Sequence, residues 1–246
     1  MSNKLVLQIE GLTVSFDGFK AVDNLNFYLE PDVLHCVIGP NGAGKTTLLD
    51  MICGKTKPTG GTIYFKDTDI TQLMEYQITR LGIGRKFQTP SVYDQLTVFE
   101  NLEISHPNPR SVLGSVFFTR SSTMTEKICQ VAGQIFLSDH LDDIAGILSH
   151  GQKQWLEIGM LLMQDPELIL LDEPVAGMSA REREKTAQLL NSISVGRSII
   201  VIEHDMAFVK MVAKKVTVLH QGKLLAEGTL EKIQEDEQVK QVYLGH

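Results

Sequence analysis

An apolar run at residues 34–38 gives way to Gly39-Pro40-Asn41-Gly42-Ala43-Gly44-Lys45-Thr46, and residues 46–52 then take on helical character. The run has the spacing G-x-x-x-x-G-K-[ST], set between a strand and a helix, which is the Walker A phosphate cradle. The chemistry explains the spacing. Glycines let backbone N–H groups turn inward around phosphate oxygens with no Cβ in the way. The helix that follows aims its orphan N–H groups and the positive end of its dipole at the same anion. Lys45 is placed for the β- and γ-phosphates and Thr46 for Mg²⁺. Gly39, Pro40, Asn41, Gly42, Ala43, Gly44, Lys45, Thr46 and Thr47 are therefore the candidate nucleotide-binding residues. A turn that only linked strand to helix would need neither the lysine nor the hydroxyl.

The rest of the chain supports an α/β fold. Residues 168–171 and 198–202 are continuous apolar runs, as expected of parallel strands covered on both faces. Residues 5–16, 25–29 and 62–65 alternate like antiparallel strands, whereas 97–104, 125–137 and 149–163 carry apolar residues at helical spacing. The expected architecture is a P-loop NTPase core with a parallel sheet, a flanking antiparallel β region and an inserted α-helical subdomain. The core is placed at residues 1–88 and 166–246, and the subdomain at about 89–165. Residues 107–122, rich in Pro, Ser, Arg and Gly, read as a loop bearing an apolar patch from Val112 to Phe118.

Composition limits the partners. A net charge of −7 argues against a dedicated nucleic-acid binder. No apolar run reaches the about 18 residues of a membrane span, and the N-terminus has no secretory pattern, so a cytosolic protein is expected unless something tethers it. Cys36, Cys53 and Cys129 are widely spaced and odd in number, and read as buried small residues rather than a disulfide framework.

A second motif completes a hydrolytic site. Ile169-Leu170-Leu171-Asp172-Glu173-Pro174 is an apolar strand ending in two acids, the Walker B pattern. Carboxylates at the C-terminal ends of parallel strands lie in the crevice where α/β sheets bind ligands. Asp172 is the candidate Mg²⁺ acid. Glu173 is the candidate for orienting or deprotonating the attacking water. Solvated acids capping a strand are common alone, but not downstream of a Walker A run.

The motifs together resemble the ABC ATPase family. Leu148-Ser149-His150-Gly151-Gln152 is similar to its Leu-Ser-Gly-Gly-Gln signature, Gln88 stands at its Q-loop glutamine, and His204 at its switch histidine. Phe16 precedes Lys45 at the register of the family's adenine-stacking aromatic. The resemblance covers nearly the whole chain. It implies ATP and Mg²⁺ as cofactors, Gln88 and His204 alongside Glu173 and Lys45 in catalysis, and Gln88 with Thr46 and Asp172 at the metal. It also implies a head-to-tail pair of ATPase subunits, in which Ser149, Gly151 and Gln152 meet the γ-phosphate held by the opposite Walker A loop. Two departures stand out. His150 replaces a glycine, either as a solvated neutral ring or as a partly charged one near phosphate, and Ser179 stands where the family has aspartate.

A narrower likeness rests on Gly39-Pro40-Asn41-Gly42, Phe87-Gln88-Thr89-Pro90, residues 96–102, Ala176-Gly177-Met178 and Val242-Tyr243-Leu244-Gly245. These resemble ATPases of the branched-chain amino acid importer group, and residues 148–162 are most similar to those of bacterial urea importers. The group implies transmembrane permease subunits, a second ATPase subunit (the same or a different chain) and indirect work with a solute-binding protein. It places the chain at the inner face of the cell membrane. The alternative is a soluble ABC-type ATPase with a non-transport role, but such proteins carry tandem cassettes, coiled-coil insertions or basic arms that this sequence lacks.

Overall fold

The computed structural model describes residues 5–86, 91–107 and 121–244. These divide into two compact units. The first comprises Met1–Arg85, Glu167–Pro174 and Leu190–His246, the second Lys86–Pro166 and Val175–Leu189. The sequence reading places everything from 166 onward in the core. The structure instead groups 175–189 with the helices, where Trp155 Nε1 donates to Thr186 Oγ1 at 2.8 Å.

The first unit holds two sheets. In the antiparallel sheet, β1 (Leu7–Phe16), β2 (Phe19–Leu29), β4 (Gly60–Phe65) and β5 (Thr68–Asp69) are ordered β2-β1-β4-β5. The β1–β2 turn is Asp17-Gly18, with φ of 49° and 88°. Two positive-φ residues in a two-residue loop match the right-handed twist of the flanking strands. Phe16 and Phe19 face each other across it, so their side chains share one face of the hairpin.

The second sheet is built from β3 (Leu34–Ile38), β6 (Ile83–Lys86), β7 (Leu168–Asp172), β8 (Ser198–Ile202), β9 (Lys215–His220) and β10 (Lys223–Gly228), in the order β10-β9-β3-β8-β7-β6. Strands β9, β3, β8 and β7 run parallel, and β10 pairs antiparallel with β9. Every residue of β3, β7 and β8 is buried, which explains their unbroken apolar runs. Helix α1 (Lys45–Ile52) lies in one core with both sheets, where Leu48, Leu49 and Ile52 join Val14, Val22, Phe65, Ile200 and Leu219. Helix α2 (Glu75–Arg80) adds Ile78 to that core.

The second unit is helical, with α3 (Val98–Ser105), α4 (Ser122–Gln134) and α5 (His150–Met163). They converge at Gly159, where an added Cβ would lie 2.5 Å from Ile135 and 3.1 Å from Leu102. Helix α4 starts earlier than its apolar pattern suggests, because Ser121 caps it by accepting from Met124 N at 3.2 Å. It stops before residue 137, since Phe136 turns to φ 60°. Cys129 is exposed, against the expectation of burial. It stands next to Ile128 on α4, whose buried face is Met124, Ile128, Val131 and Ala132. Helix α6 (Ala180–Ile193) follows the Walker B turn, and α7 (Met206–Val212), α8 (Leu230–Glu235) and α9 (Glu237–Leu244) complete the chain.

Candidate active site

The three loops that carry the Walker A lysine, the paired acids and His204 leave the C-terminal ends of β3, β7 and β8. Because β8 lies between β3 and β7, these loops open into one crevice. At Gly44 the loop adopts φ 96°, and an added Cβ would meet the Ala21 carbonyl at 2.5 Å. Only glycine permits both the left-handed backbone and that approach. The loop is anchored from the sheet side as well, where Gly222 N donates to Ala43 O at 3.1 Å.

Lys45 is buried, and its ammonium donates to the carbonyls of Gly39 at 2.8 Å and Pro40 at 3.0 Å. Burial lowers its pKa, while the nearby carboxylates of Glu173 and Asp172 pull the other way. The lysine therefore stands folded into its own loop with both acids within electrostatic reach. Thr46, directly after it, is exposed.

Asp172 ends β7 with 1% exposure, and its Oδ2 lies 3.6 Å from a guanidinium nitrogen of Arg85. Arg85 in turn approaches Asp50 of α1 at 2.5 Å and the Cys53 sulfur at 3.1 Å. This arginine links the helix that starts at the phosphate loop to the strand that ends in the acids. Sequence reading misses it, since a single arginine ahead of Phe87 carries no periodic signal.

Glu173 has left-handed backbone, φ 47°, and its N–H donates to Ile202 O at 3.0 Å. That bond ties the turn after β7 to the end of β8. His204 Nδ1 lies 3.4 Å from Glu173 Oε1, so the structure brings these two predicted residues together. Asp205 caps α7 by accepting from Ala207 N and Phe208 N at 2.9 and 3.1 Å, which fixes the chain just beyond His204. Phe16 is 49% exposed at the tip of its hairpin. Five and six positions further on, Ala21 and Val22 touch the position of Gly44. The Phe16 ring is thus open to solvent on the hairpin whose second strand meets the phosphate loop. Phe19, which the sequence reading does not single out, is more exposed still at 69%.

The signature lies in the second unit. Ser149 caps α5, its Oγ accepting from Gln152 N at 3.2 Å, while Gln152 Oε1 accepts from Ser149 N at 2.9 Å. This reciprocal capping box fixes the helix N-terminus, where Ser149 and His150 are exposed. His150 Nε2 lies 3.1 Å from the Ala176 carbonyl and 3.4 Å from Gln154 Nε2. Gln88 and the patch from Val112 to Phe118 lie outside the described residues.

For ATP, the cradle fits: a lysine, a loop bent by positive φ at Gly39, Gly42 and Gly44, and a helix N-terminus stand together at the end of β3. For Mg²⁺, one buried carboxylate and one exposed hydroxyl make a partial oxygen set. That suits an ion completed by phosphate and water rather than by an all-protein cage.

The profile of the family described as ABC transporter matches residues 22–176, and that of the branched-chain amino acid ATP-binding cassette transporter matches 223–246. The chain is 35% identical to the high-affinity branched-chain amino acid transport ATP-binding protein LivG of Escherichia coli (strain K12), across 98% of both chains. It is 34% identical, with the same coverage, to BraF of Pseudomonas aeruginosa, which bears the same description. A nucleotide-free ATP-binding cassette from an ABC transporter superposes with a TM-score of 0.87 at 32% identity, covering 98% of this chain and 100% of that one. The ADP conformation of a cassette of this kind gives 0.87 and 32%, over 98% and 99%.

The fold is that of an ATP-binding cassette. This chain belongs to the ABC transporter family and is an ATPase of that family.

Proposed function

We propose that this chain is the motor subunit of an importer for branched-chain amino acids or a similarly small polar solute such as urea. Full-length identity to LivG and BraF carries this reading and favours branched-chain amino acids. The likeness to urea importers rests on residues 148–162 alone. Among the described residues no helix is long and apolar enough to cross a membrane, so the work requires permease subunits and a peripheral place on the membrane.

The residues divide the labour. Gly39 to Thr47 hold the phosphates, with Lys45 leaving its loop carbonyls for the β- and γ-oxygens. Thr46 and Asp172, with Gln88, hold Mg²⁺, which when bound neutralises charge building on the phosphoryl oxygens. Glu173 takes or orients the water proton, and His204 steadies that carboxylate from 3.4 Å. Phe16 stacks on adenine. Ser149, Gly151 and Gln152 present the α5 N-terminus to a γ-phosphate held by a second ATPase subunit, which makes ATP part of the contact between the two.

Residues 89–96 are the docking segment for a permease helix. Its described part is braced by Asn101, which accepts from Tyr93 N at 2.8 Å and donates to the carbonyls of Tyr93 and Thr97 at 3.1 and 2.9 Å. Tyr93 itself is 52% exposed.

The test is co-purification with permease subunits, then uptake of labelled leucine and labelled urea into vesicles holding the complex. ATP-dependent leucine accumulation is expected. ATPase activity with uptake of neither solute would overturn the importer assignment.

A further inference from the structure

Within the second unit, a single carboxylate serves two helix N-termini. Ser179 and Glu182 form a capping box on α6. Glu182 Oε2 accepts from Ser179 N at 2.9 Å and from Ser179 Oγ at 2.7 Å. The other oxygen, Oε1, turns toward the signature and lies 3.4 Å from Ser149 Oγ. It also crowds Gly151, where an added Cβ would come within 2.4 Å of it. The signature glycine is thus the residue that leaves room for this carboxylate over the first turn of α5.

A serine hydroxyl has one proton to give. Ser149 Oγ already accepts from Gln152 N, and its proton points to Glu182. That proton cannot be given at once to Glu182 and to a phosphate oxygen. A second conflict is electrostatic, because a carboxylate beside Gly151 and an incoming γ-phosphate are like charges competing for one helix dipole. Two bonds from Ser179 and a longer one from Ser149 hold the Glu182 carboxyl below the usual carboxylate range, so the charge persists at any physiological pH.

We propose that Glu182 occupies the anion position of the signature until a γ-phosphate from the opposing subunit displaces it, and so raises the ATP concentration needed for the subunits to close. The proposal rests on the reading of Ser149 and Gly151 as γ-phosphate ligands. Displacement needs little rearrangement, since Oε2 keeps its bonds to Ser179 while Oε1 gives up Ser149. The same carboxylate accounts for the missing aspartate. Where the family has an acid at position 179, this chain has a serine whose main chain and hydroxyl hold an acid three residues on, against its own signature.

The experiment follows ATP-driven association of the full chain by sedimentation velocity, on a Glu173→Gln background that retains ATP. Glu182→Gln keeps an oxygen for Ser179 but removes the charge. It is expected to lower the half-maximal ATP concentration by about tenfold or more. Ser149→Ala is expected to raise it. Added salt should help the chain with Glu182 intact more than the Glu182→Gln variant, because screening weakens only the like-charge term. Should Glu182→Gln not fold, Glu182→Asp, which draws the charge back by one methylene, is expected to shift the midpoint in the same direction. If Ser149→Ala weakens association and neither Glu182 variant strengthens it, the proposal is wrong and the signature reading stands. If Ser149→Ala changes nothing, both fall together.

Discussion

Arg85 reaches Asp172 with one guanidinium nitrogen, 3.6 Å from Oδ2, where both side chains are shut away from solvent. The opposite nitrogen is committed to Asp50 on α1. One buried cation therefore stands between two acids, and it aims the acid assigned to Mg²⁺. Arg85→Met should cost about 3–5 kcal/mol, because breaking a buried pair strands its partner charge. Urea unfolding measures that loss. Arg85→Lys should recover most of the stability but not the Mg²⁺ concentration for half-maximal ATPase, since an ammonium lacks the two-pronged reach. Normal Mg²⁺ dependence in the Arg85→Lys variant would reduce Arg85 to a structural ion pair.

Glu173 and His204 separate chemistry from binding. Glu173→Gln should cut turnover by about 10²–10⁴-fold, the usual contribution of general acid–base catalysis. MgATP affinity should stay within a few-fold, as the carboxylate is assigned to the water and not to the phosphates. Single-turnover hydrolysis and equilibrium binding tell the two effects apart. Comparable losses in both would return Glu173 to a ligand-binding role.

Phe16→Ala should weaken ATP binding about 5- to 150-fold, since base stacking on an aromatic is worth about 1–3 kcal/mol. Inorganic triphosphate, which has no base, should bind the variant as it binds the parent. Equal losses for both ligands would mean that the hairpin shapes the phosphate loop instead of holding adenine.

Much of this site could be read from the sequence because strand ends and helix starts have local signals. The unbroken apolar runs of β3, β7 and β8 locate the loops that follow them, and Ser149-x-x-Gln152 announces the cap of α5. Arg85 is different. Its partners Asp50 and Asp172 lie far away in the chain and meet it only through the order of strands. Ser179-x-x-Glu182 is visible as a capping box, yet its second contact, to Ser149, arises from the packing of α5 with the turn before α6. The same packing carries 175–189 into the helical unit, which no composition shift marks. Cys129 shows the reverse error, for a residue type that is usually buried sits on the outer face of an amphipathic helix.

The described part of the proposed docking segment hangs on Asn101, which is fully buried and binds the main chain of residues 93–97 through several bonds. Asn101→Leu should destabilise the chain by about 1–3 kcal/mol, the penalty for stranded buried groups. Chemical denaturation reads that difference. Tyr93→Glu, at the surface, should leave stability and basal ATPase intact while abolishing stimulation by permease subunits, and Val92→Glu, where the side chain is half-buried, should abolish the same stimulation at some cost in stability. Normal uptake by those two variants would place the docking surface elsewhere.

The strained backbone of Glu173 bears on how such a chain ages. A glutamate at φ 47° stands in a region that costs about 1–3 kcal/mol and that glycine or asparagine enters with less strain. Glycine at this position would therefore give a sturdier chain with no turnover, and only continued demand for the imported solute opposes that change. In a lineage that no longer needs the solute, position 173 is where silencing meets the least resistance. A relic with glycine at 173 would fold better than its working ancestor.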